Sequence, residues 1–426
     1  MTIEPLTGAN FAIELLRQRF TPDPVSQPGW LIKYQQFYQG QMVEIPFPTL
    51  RQEEWRSTDL ADLLAIPWQL GAIALTEDAA VKALIQAERI AEAALLVVIN
   101  GIFAPSYSTA LPEGVTFRSI SNLGSSSLES YFQPQANSDF FGSLNHACFE
   151  DLVVLEVSGE IAQPVQVLFV HQSLNQAVII QNRLLVVLAD HSSLHLVQNQ
   201  VGLPGQCYFA NTVTQVDLGK NAALHHVFIQ HQTETAYDLG VVHLSQAAHS
   251  HYRGVTIALG AKLSRLNLTV AQQGRGATSE VYGLAIVDGD RLADTHSVIN
   301  HQVPDGTSTQ VHRMVVSDRG RGVFNGKIMV AKNAQNTNSS QLSRSLLRSS
   351  SARVDTQPQL EILADNVKCA HGATVSQLDP DQIFYLQSRG LSASQAATLL
   401  TYGFVAEVVS QIQIAPVRSR LEKLTA

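Results

Sequence analysis

Leu194-His195-Leu196-Val197-Gln198, followed a few residues on by Gly202-Leu203-Pro204-Gly205, has the texture that decides the fold: a short run of strand formers closed by a cluster of turn residues. The same texture extends in both directions. Between Asp151 and Thr374 no segment carries helical spacing. The plainest strands there are Val153 to Val157, Val165 to Val170, Leu184 to Leu188, Leu224 to Ile229, Val255 to Leu259, Leu266 to Val270 and Val323 to Val330. Turns fall at Gly219-Lys220-Asn221, Gly274-Arg275-Gly276, Asp288-Gly289-Asp290, Pro304-Asp305-Gly306 and Asp318-Arg319-Gly320. So long a stretch of strand must hide its sheet edges. It is too long for one sandwich and lacks the blade-length signature of a propeller. A right-handed solenoid of stacked coils is therefore expected, with a large double sandwich as the alternative.

Helical signals lie on both sides of this core. Phe11 to Phe20 follows a capping Asn10, Trp30 to Tyr38 repeats apolar positions at helical spacing, and Leu60, Leu63 and Leu64 follow Thr58-Asp59. The prolines of 21–28 and 45–49 exclude helix interior there. Thr76 caps an expected helix from Glu77 to Ala93, with Val81, Leu84, Ile85 and Ile90 as its apolar stripe. At Leu95 the period changes. Leu95 to Ile99, Asn100-Gly101 and Ile102-Phe103 read as a hairpin, and the polar stretch from Ser119 to Ser130 as a mobile link. Beyond the core, Asp379-Pro380 opens a helix that stops at Gly390. Ser392 with Gln395 forms a capping box for a second, carrying Ala396, Leu399, Leu400 and Phe404 on one side and a kink at Gly403. Pro416 introduces a short basic amphipathic end. The expected division is an N-terminal helical domain over 1–94, a β-solenoid core over 95–375 whose first part, 95–150, is hairpin and linker, and a C-terminal helical domain over 376–426.

Composition narrows the function. The chain has 426 residues, three cysteines and a net charge of -8. The odd, scattered cysteines exclude a disulfide framework and fit a reducing compartment. The charge leaves no basic footprint for nucleic acid, and no apolar stretch approaches the length of a membrane span. With no secretory or transit signal at the start, a cytoplasmic location is expected. Only 15% of residues are charged, which points to large buried faces or a surface reserved for other chains.

The chemistry concentrates in Lys368-Cys369-Ala370-His371-Gly372-Ala373-Thr374. On a strand, Cys369 and His371 leave the same face while Lys368 leaves the other. Taken alone, Cys369 reads as a small buried hydrophobe; with His371 beside it, the pair offers a thiol and an imidazole, ligands for zinc or cluster iron, or a nucleophile and its base. Two protein ligands do not close a four-ligand site, so the remainder must come from another chain. Cys148 and Cys207 have no such neighbour and read as core. His191 with His195 and His249 with His251 have ligand-like spacing, but solvated strand positions explain them. Asp288 and Asp290 could be the carboxylates of a polysaccharide enzyme, yet Gly289 between them reads as a turn. Arg319 to Lys327 lacks the spacing and following helix of a phosphate loop and reads as a coil corner.

These residues also carry a resemblance. Asp294-Thr295-His296 with His301, Arg321-Gly322-Val323-Phe324-Asn325-Gly326-Lys327, Asp355 to Ile362, Asp365 to Thr374 and Gln382 to Gly390 are similar, in that order, to the SufB/SufD scaffold proteins of iron–sulfur cluster assembly. SufB-like chains carry Val-Glu-His-Glu-Ala where this chain has Lys368 to Ala373, and Cys-Asp-Ser where it has Ser343-Arg344-Ser345. Both departures point to the SufD branch. The resemblance implies a mainly β protein, a right-handed parallel β-helix flanked by helical domains, acting as a non-enzymatic scaffold. It implies pairing with SufB through the β-helix, or a homodimer when SufB is absent. It also implies docking of the SufC ATPase on the C-terminal helices, at Pro380, Ile383, Phe384, Tyr385, Leu386 and Arg389. Cys369 and His371 then match the positions that assemble a transient iron–sulfur cluster, or hold iron, at the SufB–SufD interface, with no metal held tightly by this chain alone. The rival expectations are a carbohydrate-binding or carbohydrate-active β-helix and a Cys–His acyl-transfer enzyme.

Overall fold

The six turns read from the sequence between Gly202 and Gly320 all fall at strand ends, and the strands between them are longer than their apolar runs. The computed structural model describes residues 11, 14–16, 28–70, 78–120, 127–133, 139–173 and 176–425. In chain order the strands are β1 (Gln69–Leu70), β2 (Ala94–Ile99), β3 (Ile102–Phe103), β4 (Val115–Arg118), β5 (Val153–Val157), β6 (Val165–His171), β7 (Val178–Leu188), β8 (Ser193–Gly202), β9 (Tyr208–Leu218), β10 (Ala223–His231), β11 (Tyr237–Gln246), β12 (His251–Ala258), β13 (Leu263–Gln272), β14 (Thr278–Val287), β15 (Leu292–His301), β16 (Thr307–Val316), β17 (Arg321–Val330), β18 (Asn338–Leu347), β19 (Arg353–Ile362) and β20 (Lys368–Gln377).

Odd-numbered strands from β5 to β19 form one parallel sheet and even-numbered strands from β6 to β20 the other, each strand bonding to the strand two places along. That connectivity is a β-helix, and it excludes the double sandwich. Ser193, Ala223, His251, Thr278, Thr307, Asn338 and Lys368 stack in register, with coil lengths from 27 residues (His251 to Thr278) to 31 (Thr307 to Asn338). At the other end β2 joins β6 in parallel and folds back on β3 through Asn100 (φ 49°) and Gly101 (φ 84°), the expected hairpin. The run read as a corner over Arg319 to Lys327 is a corner only to Gly320. From Arg321 it is strand, because Gly322, Phe324 and Gly326 alternate inward.

Alternate side chains fill the lumen. The early coils fill it with Leu155, Leu184, Val186, Leu196, Val216 and Leu224. Toward the C-terminus Gln, Ser, Thr and His take over: Gln246 bonds Ser279, Gln272 bonds Ser279, and Ser308 bonds Ser339. Buried polar groups of this kind are tolerated where they bond to one another across the lumen or between coils.

Helices cover the outside. α1 (Gly29–Gln41), the single-turn α2 (Ala61–Leu64), α3 (Ala79–Glu88) and α4 (Phe140–Cys148) precede the coils, and α5 (Pro380–Ser388), α6 (Ala393–Val409) and α7 (Ala415–Thr425) follow them. Within the expected helix over Phe11 to Phe20, residues 11 and 14–16 are helical and the rest lies outside the described residues, as does half of the stretch from Ser119 to Ser130, residues 121–126. Two further differences from the sequence reading concern α3 and α4. α3 is capped by Asp78, whose carboxylate accepts the Ala80 N–H; Thr76, the expected cap, lies outside the described residues. It ends at Glu88 because buried Gln166 accepts the Ile90 N–H and donates to the Glu88 carbonyl. α4 stands in the stretch read as linker. It is buried along its whole length, so it has no amphipathic stripe to read.

Candidate functional site at the open end of the solenoid

The coil stack simply stops. β19 and β20 each have a strand on one side only, and no element among the described residues covers the inner face of the last coil. Ile362, Leu363 and Val375 are 37%, 63% and 44% exposed there. Two parallel ten-residue edges and an apolar rim form the kind of surface that recruits another chain.

Cys369 and His371 lie on β20. Their in-register neighbours one coil below are Ser339 and Gln341, both buried, so the shared face of the pair is the one turned toward the lumen. Cys369 packs at the rim of the cluster of Ile328, Val330, Ala334 and Ala364, half-buried, while His371 is exposed. Burial pushes the Cys369 thiol up, with a weaker opposing contribution from the Ser339 backbone. In the uncovered chain the larger influence on the sulfur is the apolar rim. A thiolate here would come from metal binding or from groups brought by a partner.

The other sequence candidates separate clearly. Cys148 is buried core and Cys207 is half-buried at its margin. His191 and His249 sit at corners with φ of 61° and 57°, so neither shares a strand face with His195 or His251. The histidine pair that does meet is His195 with His225, Nδ1 to Nδ1 3.2 Å across adjacent coils. A 30-residue spacing was the readable signal for it. His251 instead contacts Glu280 at 2.7 Å. Among the described residues no group of three or more His, Cys, Asp or Glu is placed to hold a metal. Asp288 and Asp290 occupy a corner and pair with Arg291 and Arg319, so neither of these two carboxylates is free.

α5 begins at Pro380 with Asp379 accepting the Asp381 N–H, and it buries no side chain. Phe384 and Tyr385 are 72% and 56% exposed, Ile383 and Leu386 are half-buried, and Arg389 lies over the Tyr385 ring at 5.3 Å. α6 carries the expected capping box and runs through Gly403 without a break. Its buried stripe is Ala396, Thr401, Val405, Val408 and Val409, while Leu399 faces solvent, contrary to the sequence reading. Val405, Val408 and Val409 of that stripe, with Ile412, Ile414, Val417 and Leu421, pack on the outer face of the even-numbered sheet. Each such buried aliphatic contributes roughly 1.5–3 kcal/mol, so α6 and α7 are firmly seated and α5 projects from them.

A family model described as the SufBD core domain of the SUF system for iron–sulfur cluster assembly matches residues 169–404. The chain belongs to the SufB/SufD family. It is 36% identical over 392 residues to an iron–sulfur cluster assembly SufBD-family protein of Synechocystis, covering 88% of this chain and 86% of that one. It is 28% identical over 385 residues to the iron–sulfur cluster assembly protein SufD of Escherichia coli, covering 88% and 87%. It is also 30% identical over 322 residues to the chloroplastic protein ABCI7 of Arabidopsis thaliana, covering 73% and 68%. As a SufB/SufD-family protein the chain is a component of iron–sulfur cluster assembly. Among its described residues no helix is long and apolar enough to cross a membrane.

Proposed function

We propose that this chain is the SufD-type scaffold subunit of the cytoplasmic SUF machinery, without catalytic activity of its own. Its open β-helix end receives a SufB-type partner, and iron and sulfur are built into a nascent cluster with Cys369 and His371 as the ligands from this side. The observation that carries this reading is the uncovered last coil. It presents a thiol and an imidazole two residues apart on the lumen-facing side of an edge strand, with too few neighbours to complete a metal site alone. A SufC-type ATPase docks on the projecting α5 through Pro380, Ile383, Phe384, Tyr385, Leu386 and Arg389, where the exposed aromatics provide an apolar anchor. ATP turnover by that subunit would then move the helices against the coils and open the cluster site.

The test is co-purification with SufB-type and SufC-type partners followed by anaerobic cluster reconstitution. Cys369→Ala and His371→Ala should each lower cluster formation by at least about tenfold while the complex stays intact. Reconstitution indifferent to both substitutions would overturn the assignment. A stable homodimer that excludes the SufB-type chain would overturn the heteromeric pairing alone.

A further inference from the structure

Inside the last coils, one column of polar side chains has a direction. Gln310 Nε2 donates to Ser297 Oγ at 2.7 Å, and Gln341 Nε2 donates to Gln310 Oε1 at 2.7 Å. Gln310 and Gln341 are in-register neighbours on adjacent coils. Gln310 thus accepts from the coil above and donates across the lumen to Ser297, and Gln341 donates to the coil below. Gln341 is 2% exposed, its Oε1 has no partner, and its Nε2 packs close to Gly326, where an added Cβ would come within 2.4 Å of it. A flip of the Gln341 amide by itself would lose its bond to Gln310. A buried acceptor thus waits for a donor from the next coil, and the residue in register there is His371. Leaving such an acceptor unmet is unfavourable.

We infer that Gln341 is a positioning residue for His371: once a partner covers the open end, Gln341 Oε1 accepts one ring N–H of His371 and aims the other ring nitrogen, with its lone pair, at incoming iron. This rests on the reading of Cys369 and His371 as cluster ligands. In the uncovered chain His371 is exposed to water and the bond is not made. Covering the last coil removes the competing water and favours the inward bond. The arrangement is that of a ligand histidine whose second nitrogen is fixed by an outer acceptor, which settles the tautomer and the ring orientation together. In the parallel column beneath Cys369, His301 contacts Ser308 at 2.9 Å and Ser308 contacts Ser339 at 2.6 Å, so the hydroxyl of Ser339, the rung next to Cys369, already has a partner.

The experiment is an anaerobic Co²⁺ titration of the complex with the SufB-type partner, following the thiolate-to-cobalt band from Cys369 and the ligand-field bands that report the imidazole. Gln341→Leu should weaken Co²⁺ binding by about 10–100-fold, Gln341→Glu should recover most of it, and Gln310→Leu, one rung lower, should change it by less than about threefold. A thermal melt of each variant checks folding, and Gln341→Met replaces Gln341→Leu if the latter does not fold. Wild-type affinity in Gln341→Leu, or an equal loss in Gln310→Leu, would show that the column only packs, and the inference fails while the ligand assignment stands. Affinity unchanged by His371→Ala removes the ligand assignment and this inference with it.

Discussion

Asp294 shows how much a single residue organises. It is 2% exposed, yet it accepts from Arg265 Nη1 at 2.5 Å and from Thr58 Oγ1 at 2.5 Å, with His296 Nε2 at 3.0 Å. Burial alone would raise this carboxyl; Arg265, then His296 and Thr58, more than reverse that and hold it below the usual carboxylate range. Trp55 lies 3.9 Å from the Arg265 guanidinium carbon, and Arg265 also donates to the Glu54 carbonyl, so the cluster ties the turn before α2 to the solenoid. Asp294→Ala would strand a buried guanidinium and should cost about 3–5 kcal/mol in urea unfolding, with partial recovery in the Arg265→Met, Asp294→Leu double variant. A loss no larger than that of a surface substitution would mean that the pair is not isolated from water. Asp294 and His296 stand out in the sequence as part of a family motif, and Cys369 with His371 as an i, i+2 pair. Thr58, 236 residues from Asp294, and Gln341, a rung below His371, are joined to them only by coil register, which no local pattern reports.

At the scale of elements, the corners carry the most readable chemistry. Asn336 has φ 61°, donates to Asp305 Oδ1 at 2.9 Å and accepts from Asn366 Nδ2 at 2.6 Å, forming a ladder along one edge of the stack. Asn336→Ala should destabilise more than Asn336→Gly by about 1–2 kcal/mol, because both lose the ladder but only alanine is forced into the left-handed region. Equal midpoints in chemical unfolding would mean that the corner relaxes to another conformation. Corners were legible because Gly, Asn and Asp have few other reasons to cluster. Strands were legible in part: β10 and β17 announce themselves by aliphatic runs, whereas β18, whose inward residues are Ser339, Gln341, Ser343 and Ser345, has no apolar alternation at all. The polar lumen that builds the ladder beneath His371 is thus the feature that hides its own strands. α3 was read too long for a related reason. Its stop is set by Gln166, a side chain from a distant coil.

For the whole molecule, the polar lumen sets the pH response. His171, His226 and His301 are pushed down to about 4 and His312 to about 3, each chiefly by burial, against an ordinary value of 6.5. Between those values the unfolded chain binds protons that the folded chain does not, so the stability these groups contribute is complete above about pH 6.5 and is lost as the pH falls toward 4. Asp238 runs the other way. Burial raises its carboxyl to about 7, opposed by a bond from Gln232, so the folded state favours the protonated acid and loses stability as the pH rises from about 4 through 7. Four groups outweigh one. At about 1.4 kcal/mol per pH unit for each group, the histidines together lose several kcal/mol between pH 6.5 and 5, and Asp238 returns only its own share. Thermal melts should therefore show a falling transition temperature from pH 7 to 5. Asp238→Asn, which keeps the shape of the protonated acid, should match or exceed wild type at pH 8 and lose that relative advantage as the pH drops. A transition temperature that is flat or rising toward pH 5 would mean that water reaches the lumen and solvates the imidazolium forms, and the dry ladder beneath His371 could not then exclude the water that competes for Gln341.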